Sequence, residues 1–600
     1  MAEQAAQPSN YLDVVAAGAP LFGMALQAHR EGKIGRARSI YAELLDQPWL
    51  TAVCLHQLGI IAGQVGDHAK AVELLRRAIR LDDAQPMFHQ NLAITLERMG
   101  KPAEALDALV NLAVTMQTGE KHADAIPIYQ RVLQGDPLRY AAYVNMGTAQ
   151  AVMGLTHDAV VNLMRGLALH ARALSEARVL LGTLAPPLVR DGVIPAEAVE
   201  PKANPTGRVE KLEHALVSLG KMLSDLGYAE LAVASYRTAL MLSPGLPLAH
   251  WNLSLSLLSL GDFERGWSEY MWRWHWDRFP EVWRRLKAPA WRGEPIEGKR
   301  IGLFGEQGFG DVMQFSPLAL KLAERAKEVV LEVPTPLVRL MRQSFEPRGV
   351  KIIARTDDPH RYESPIELDF VSPLMSLPHL LGLKRAQLPL YQGYLKPTQE
   401  DVDAWAERLA GLEGRKVGIV WGGRPAYVDD AKRSVALEKL KPLFEVAGIS
   451  WVSLQLGPQL QQLGPSGLAM FDSSSHLKDF ADTAGLVANL DLVLGVDTGV
   501  CHMAAGVGRP TWILLPRVPD WRWLLGRGDS EWYPSVRLFR QTAIGDWAAP
   551  IEEMRRALAE WGVPAPAPVA LVSDIAARPA TLHPPGPPAA LPLPDNPSLN

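Results

Sequence analysis

The sequence predicts an α-helical repeat solenoid followed by an α/β region with parallel sheets. Small residues recur every 34 positions in the first half, and beyond about residue 299 short apolar strands alternate with helical patterns. Such alternation is typical of βαβ units. The length of 600 residues is a third observation, because single cores stop growing at roughly 250–300 residues. We therefore expect three or four domains.

The repeats are visible in alanine and glycine positions. Ala37, Ala71 and Ala105 are 34 residues apart, and the same interval separates Ala125 from Ala159 and Ala232 from Gly266. Leu-Gly pairs and later aromatic, leucine or proline residues complete a frame that resembles the tetratricopeptide repeat. We count about six units between Gly18 and Trp276. Stacked helix pairs of this kind form a concave groove, which implies protein binding; a passive scaffold is the alternative.

Composition changes along the chain give provisional domain limits. The predicted order is an N-terminal extension (1–17), the repeat array (18–284) with a Pro-rich loop near 185–207, a first Rossmann-like half (285–395), an interdomain helix (396–414), a second half (415–562) and a disordered Pro/Ala-rich tail (563–600). An aromatic cluster, Tyr270–Trp283, is expected to seal the last repeat against the next domain, and a ligand-binding wall is the alternative.

Charge and cysteine content restrict the partners. The net charge of −4 argues against a general nucleic-acid surface. Two distant cysteines form no disulfide or zinc motif. We see no secretory signal and no apolar run of the roughly 18–20 residues that a membrane span needs, so we expect a cytoplasmic protein without an integral membrane segment. The acidic pairs Asp357-Asp358 and Asp429-Asp430 are interpreted as solvated loops, and no metal is expected.

The α/β region divides into two sets of strands. The predicted strands are Ile301–Phe304, Val329–Pro334, Lys351–Ala354, Lys416–Gly423, Trp451–Gln455, Asp491–Val496 and Thr511–Pro516. Two doubly wound halves that face a cleft would bind ligands at the carboxyl ends of these strands.

One strand end carries an unusual motif. The apolar run Leu492–Val496 stops at Asp497-Thr498-Gly499, and a small-residue helix is predicted over Val500–Gly506. Unpaired N–H groups at a helix N-terminus attract phosphate, whereas a plain helix cap is the simpler reading. The first Gly-rich turn, with Gly305, Gly308 and Gly310, lacks G-x-G-x-x-G spacing, so a nicotinamide cofactor is not expected.

These motifs together resemble the heptosyltransferase-like glycosyltransferases. The matching pieces over roughly 299–562 include "GEQGFGDVMQF", "VGIVWGG", "KRSVAL", "WVSLQ" and "GVDTGVCHMAAGVGRPTWILLP". The resemblance implies a GT-B fold, with nucleotide-sugar held by the second half through Trp421, Gly422, Gly423, Lys432, Arg433, Ser434, Gln455, Asp497, Thr498, Gly499 and His502. For Lys432–Ser434 a solvated basic loop is the alternative, and for His502 a buried structural histidine.

The same resemblance places a catalytic base at Asp311. A carboxylate there could take the proton of an acceptor hydroxyl, although it could instead cap the helix predicted over Val312–Arg325. Gly305, Gln307, Gly308 and Gly310 form the acceptor-side turn in this reading. GT-B enzymes generally stabilise the leaving phosphate with helix N-termini and basic residues, in keeping with the expectation of no metal.

Repeats fused to such a domain are most similar to the alphaproteobacterial flagellin glycosyltransferases. The resemblance implies transfer of a nonulosonic acid from a CMP donor to Ser or Thr of flagellin, held in the repeat groove. Two alternatives stay open. One is an O-GlcNAc-transferase-like or heptosyltransferase-like enzyme with another protein or glycan acceptor, and the other is a scaffold with a degenerate transferase domain.

Overall fold

The computed structural model describes residues 11–171, 174–200, 212–276, 288–355, 366–389, 391–425 and 430–561. It divides the chain into two compact units. The repeat unit comprises Met1–Leu226 with Ala234–Pro244, and the α/β unit comprises Gly227–Val233 with Gly245–Asn600. The predicted tail, 563–600, lies outside the described residues.

The first part of the chain is helical throughout. Its helices are α1 (Tyr11–Gly18), α2 (Pro20–Arg30), α3 (Ile34–Glu43), α4 (Thr51–Gln64), α5 (His68–Leu81), α6 (Pro86–Arg98), α7 (Pro102–Thr118), α8 (His122–Gly135), α9 (Tyr140–Val152), α10 (Thr156–His170), α11 (Ser175–Arg190), α12 (Leu212–Asp225) and α13 (Ala229–Leu242). The predicted N-terminal extension therefore contains most of α1.

Small residues sit where paired helices touch. The alanines at the 34-residue interval are all buried: Ala37, Ala71, Ala105, Ala125, Ala159 and Ala232. The glycines of Leu58-Gly59 and Met146-Gly147 face large residues of the next helix. A Cβ on Gly59 would lie 2.9 Å from Leu75 Cγ, and one on Gly147 would lie 2.8 Å from Leu163 Cγ. Helices can approach this closely only without a side chain at these positions, so the spacing predicted the packing correctly.

The Pro-rich interruption is partly helical, and the loop prediction for its start was wrong. Helix α11 continues through Pro186 and Pro187 to Arg190. Proline removes backbone hydrogen bonds in a helix interior, but Leu184 and Leu188 on either side of the pair are fully buried. Their burial outweighs the local penalty. A 3-10 turn, Ala196–Ala198, follows, and residues 201–211 are outside the described part.

A helical hairpin begins the main segment of the α/β unit. Helices α14 (Pro247–Ser259) and α15 (Phe263–Tyr270) lead into a 3-10 turn, Met271–His275. Residues of α15 share one hydrophobic core with both sheets. The compact unit thus starts well before residue 285, where the sequence placed the domain boundary, because apolar side chains of the hairpin are buried against the α/β elements.

The first half is built on a four-stranded parallel sheet. The strands are β1 (Arg300–Phe304), β2 (Glu328–Val333), β3 (Val350–Ala354) and β4 (Phe370–Pro373), in the order β3-β2-β1-β4. Its helices are α16 (Phe309–Phe315), α17 (Pro317–Ala323), α18 (Val338–Phe345) and α19 (Leu377–Leu380). The single helix predicted over Val312–Arg325 is divided at Ser316-Pro317, since proline starts a new helix there.

The second half carries a six-stranded parallel sheet. The strands are β5 (Arg415–Val420), β6 (Ile449–Ser453), β7 (Phe471–Asp472), β8 (Leu492–Val496), β9 (Thr511–Leu515) and β10 (Val536–Arg540), in the order β10-β9-β8-β5-β6-β7. Its helices, with the one that precedes it, are α20 (Gln399–Arg408), α21 (Asp430–Arg433), α22 (Lys441–Phe444), α23 (Leu463–Ser466), α24 (Phe480–Ala488), α25 (Gly499–Val507) and α26 (Ala548–Glu560).

Both sheets are doubly wound. In each, the chain order reverses between two central neighbours, β1 and β4 in the first half and β5 and β8 in the second. The predicted fold class, helical repeats followed by two Rossmann-like halves, is confirmed. Arg339 of α18 joins the halves by donating to Asp479 at 2.8 Å and to Asp401 at 2.6 Å. In the described residues no helix is both long and apolar enough to cross a membrane.

Candidate functional site

The predicted site residues follow strands at the reversal points of both sheets. The turn 305–311 follows β1, Trp421–Gly423 follows β5, and Asp497–Gly499 follows β8. The crevice outside the carboxyl ends of strands at such points is where open α/β sheets bind ligands. The candidate site is therefore built from segments that the topology brings to the same end of each sheet.

Asp311 is held by two partners. It is the third residue of α16, and its Oδ2 accepts the Gly308 N–H at 2.7 Å. Its Oδ1 accepts from Arg522, whose guanidinium also donates to Asp520 at 2.7 Å. Burial disfavours the charged form of Arg522, but the two aspartates outweigh burial and raise its pKa. The Asp311 side chain remains 18% exposed, so the carboxylate is both a helix cap and a partly accessible group.

Asp497 ends β8 and is paired with the histidine of its own motif. His502 Nε2 lies 3.6 Å from Asp497 Oδ1, and His502 Nδ1 lies 3.0 Å from Tyr533 Oη. Burial would raise the pKa of Asp497, but His502 and the charge of Arg433 outweigh it and hold that pKa below its usual value. His502 is itself buried. It therefore orients Asp497 and Tyr533 in this structure.

Thr498 and Gly499 start helix α25. The Thr498 hydroxyl does not cap the helix and instead approaches the Cys501 sulfur at 3.8 Å. The first N–H groups of α25 have no intrahelical partner by geometry.

Both cysteines of the chain are buried free thiols.

The two strand-end turns touch each other. A Cβ on Gly310 would lie 2.7 Å from His502 Cδ2, so glycine is needed for the close approach of α16 to α25. A Cβ on Gly499 would lie 3.6 Å from Phe309 Cβ. The ion pair of Asp311 with Arg522 also joins the first half to the second. The structure thus brings the predicted acceptor-side turn and the predicted donor-side turn into one place.

Gln455 organises the end of β5. Its Oε1 accepts the N–H groups of Trp421 and Gly422 at 3.0 and 2.9 Å. Its Nε2 donates to the carbonyl oxygens of Gly422 and Leu456. The side chain is 2% exposed. The structure therefore uses Gln455 to fix the loop that carries Trp421 and Gly422, and both of its polar atoms are engaged by backbone.

Arg433 and Ser434 bind the buried carboxylate of Asp430, which the sequence analysis interpreted as part of a solvated loop. Asp430 accepts from Arg433 Nε at 3.1 Å and from the Ser434 hydroxyl at 2.9 Å, and Ser434 Oγ accepts the Gly423 N–H at 3.0 Å. Lys432 is exposed. The expectation of a solvated Asp430 was wrong, because its carboxylate is buried. Its hydrogen bond with Ser434 connects this segment to the Gly423 N–H. Asp357, Asp358 and Asp429 lie outside the described residues.

Sequence reasoning also missed a buried ion pair beneath the first turn. Arg273 of the 3-10 turn binds both carboxylate oxygens of Glu306, at 2.8 and 3.0 Å. Next to it, Gln307 Nε2 donates to Tyr270 Oη at 2.5 Å, and Gly305 O accepts from Arg355. The available signal was Glu306 in "GEQGFGD" and Arg273 in the aromatic cluster, where a charged residue among tryptophans needs a partner.

The described residues contain no candidate metal site. Within the ranges that the structure covers, no three His, Cys, Asp or Glu side chains are grouped closely enough to hold an ion. The expectation of metal-free chemistry stays a prediction.

The repeats and the two parallel sheets define the class: a tetratricopeptide-repeat protein with a C-terminal doubly wound α/β domain. Models of the tetratricopeptide repeat match residues 51–81 and 213–245. Protein FlbA of Caulobacter vibrioides is 26% identical over 545 residues, which cover 84% of this chain and 89% of that protein.

Among solved structures, the chain is similar to a glycosyl transferase family 9 protein from Veillonella parvula. The identity is 13%, the TM-score is 0.34, and the match covers 44% of this chain and 97% of that one. It is also similar to the ADP-heptose lipopolysaccharide heptosyltransferase II of E. coli, with 14% identity, a TM-score of 0.31, and coverage of 44% and 99%.

Proposed function

We propose that the protein is a glycosyltransferase that transfers a sugar from a nucleotide-sugar to a protein. The observation that carries this proposal is the contact of the two strand-end turns, with Gly310 against His502 and Asp311 paired to Arg522. This contact brings a partly accessible carboxylate next to the first turn of α25, and the charge of Arg433 acts on Asp497 at the start of that helix. Base and phosphate-binding groups at one place are what glycosyl transfer requires.

The roles follow from chemistry. Asp311 would accept the proton of an acceptor hydroxyl while the oxygen of that hydroxyl attacks the sugar carbon and the nucleotide leaves. The α25 N-terminus, together with Arg433 and Lys432, would bind the phosphate of the donor. The Asp497–His502 pair would fix the start of α25, and Gln455 would fix Trp421 and Gly422. Hydrogen bonds from the protein replace a metal in stabilising the leaving group in this scheme.

The acceptor is proposed to be flagellin, bound by the repeat groove in the cytoplasm, and the sugar to be a nonulosonic acid delivered as a CMP donor. Tetratricopeptide repeats support a protein-binding role. The choice of flagellin and of this sugar rests on the sequence resemblance described above.

The test is the intact mass of flagellin from cells with and without the gene. We expect a mass drop in the deletion that is restored by the wild-type gene and not by Asp497→Ala. The drop divided by the number of sites gives the sugar mass. Unchanged flagellin would overturn the flagellin acceptor, and the proteins retained on the full chain would then be tested with a panel of CMP-, UDP- and ADP-sugars. Full restoration by an Asp311→Ala, Asp497→Ala double variant would support a non-catalytic scaffold.

A further inference from the structure

The hairpin α14–α15 touches both halves of the α/β region. The Trp267 ring lies 5.7 Å from Phe315 of the first half and 5.1 Å from Trp521 of the second, measured between centroids. Phe263 lies 5.7 Å from Trp532. One helix thus contacts aromatic residues on both sides of the candidate site, and the residues that follow it reach the site itself.

Arg273 extends this contact into the first turn. Its guanidinium has no exposed surface, and it lies over the rings of Tyr270 and Trp274, 4.8 and 4.5 Å from their centroids. It donates to Glu306 through Nε and Nη2, and Nη2 also donates to Ser376 Oγ at 2.8 Å. A planar fork matched to a carboxylate fixes orientation as well as distance.

The path from Arg273 to the candidate base is short. Glu306 and Gln307 are held by Arg273 and by Tyr270 Oη. The next residue, Gly308, is bound by the carboxylate of Asp311. The backbone between these two anchors is therefore held at both ends, and displacement of Glu306 would be passed to Asp311.

We infer that Arg273 is a positioning residue: by binding Glu306 it fixes the Gly305–Gly310 turn and sets the place of the Asp311 carboxylate. The 3-10 turn that carries Arg273, with the hairpin before it, then contributes to the geometry of the proposed transferase site. The inference rests on the proposed function for its effect on transfer, but the hold on the turn can be measured without any transfer.

The decisive variant is Glu306→Gln in the full chain. It keeps the side-chain size and removes the charge that Arg273 binds. Asp369→Asn is the matched control, because Asp369 accepts from Lys299 and from the Arg300 N–H at the opposite end of β1. Ser376→Ala is a milder second variant, since it removes one acceptor of Arg273 and leaves both charges in place.

Hydrogen–deuterium exchange of peptides covering α16 is the first readout, at pH 8. We expect Glu306→Gln to speed exchange there at least ten-fold, with little change in peptides covering α4 and α5. Ser376→Ala should act in the same direction with a smaller effect, and Asp369→Asn should not. Equal acceleration by Glu306→Gln and Asp369→Asn, or no acceleration in α16, would overturn the inference.

Transfer kinetics are the second readout. Glu306→Gln is expected to lower kcat at least ten-fold and to leave the acceptor KM within two-fold, because a displaced base slows the chemical step without changing binding. Arg273→Gln combined with Glu306→Gln should cost no more than Glu306→Gln alone. An unchanged kcat would overturn the inference. Absence of transfer by the wild-type chain would instead refute the proposed function, while exchange in α16 would still decide whether Arg273 holds the turn.

Discussion

The two turns of the candidate site are built in opposite ways. The turn after β8 is stabilised by its own motif, since Asp497 is paired with His502 five residues later. The turn after β1 depends on distant residues, because Asp311 binds Arg522 and Glu306 binds Arg273. A turn with local partners can be recognised from its sequence, whereas one with distant partners owes its geometry to the surrounding fold. The four experiments that follow test this contrast.

The largest effect is expected for Asp311→Asn. Losing a general base costs about 100-fold or more in rate, so transfer should fall by that factor. Asp520→Asn is the control, because Asp520 binds the same Arg522 guanidinium. We expect it to cost less than about ten-fold. Equal losses in steady-state transfer rates would mean that Asp311 serves to hold Arg522 and is not the base.

The first turn should respond to pH, and the second should not. Burial raises the pKa of Glu306 to about 7, with Arg273 opposing and Asp311 adding to the rise. A raised carboxyl pKa stabilises the fold below its ordinary value of 4.5, and this contribution is lost as pH rises to about 7. The free energy of unfolding should therefore fall by about 3 kcal/mol over this range.

Urea unfolding at pH 5 and pH 8, followed by tryptophan fluorescence, measures this slope. Glu306→Gln should reduce the slope by this amount, while Glu332, whose pKa burial also raises to about 7, keeps its own contribution. Asp497→Asn should leave the slope intact, since the pKa of Asp497 is lowered from 3.8 and lies below the range. A slope that is unchanged in Glu306→Gln would assign the pH response to other groups.

Contact between the turns can be broken by Gly310→Ala. The added Cβ would lie 2.7 Å from His502 Cδ2, and overpacking of this kind costs roughly 1–3 kcal/mol. We expect a lower midpoint of urea unfolding and slower transfer. Gly464→Ala is the control, because nothing lies within 4 Å of its Cβ position. If Gly310→Ala behaves like the control, the turns are not in tight contact.

The smallest effect is expected for Lys432→Gln. Lys432 is exposed, and loss of one solvent-accessible charge near a phosphate is worth about 0.5–1 kcal/mol. The donor KM should rise roughly three-fold at low salt and less at high salt. Lys439→Gln, a change of the same charge in a neighbouring exposed position, should leave the donor KM unchanged. Equal effects of the two variants would indicate a general field and no specific phosphate contact.

Sequence predicted best where partners are near in the chain. The 34-residue alanine interval located the helix contacts, since each small residue meets the neighbouring helix of its own pair. Val500–Gly506 was predicted as a helix, and α25 covers Gly499–Val507. The strand β10 was missed, because Arg537 and Arg540 interrupt its short apolar run.

Sequence could not predict contacts between distant polar residues. Arg522 and Asp311 are 211 positions apart, and no spacing rule relates them. Charged side chains are usually exposed. No buried partner was therefore predicted for Arg273. The donor contact of Gln455 stays a prediction, and only the fold reveals that backbone groups bind its amide.

The aromatic contacts of α15 have a practical consequence for dissecting this protein. A fragment starting at residue 285 would expose Phe315, Trp521 and Trp532, which Phe263 and Trp267 cover in the full chain. Exposed aromatic patches of this kind promote aggregation. Chimeric proteins in which these repeats are replaced by those of another protein should therefore be joined near Gly245. The hairpin α14–α15 then stays with the α/β region whose aromatic side chains it covers.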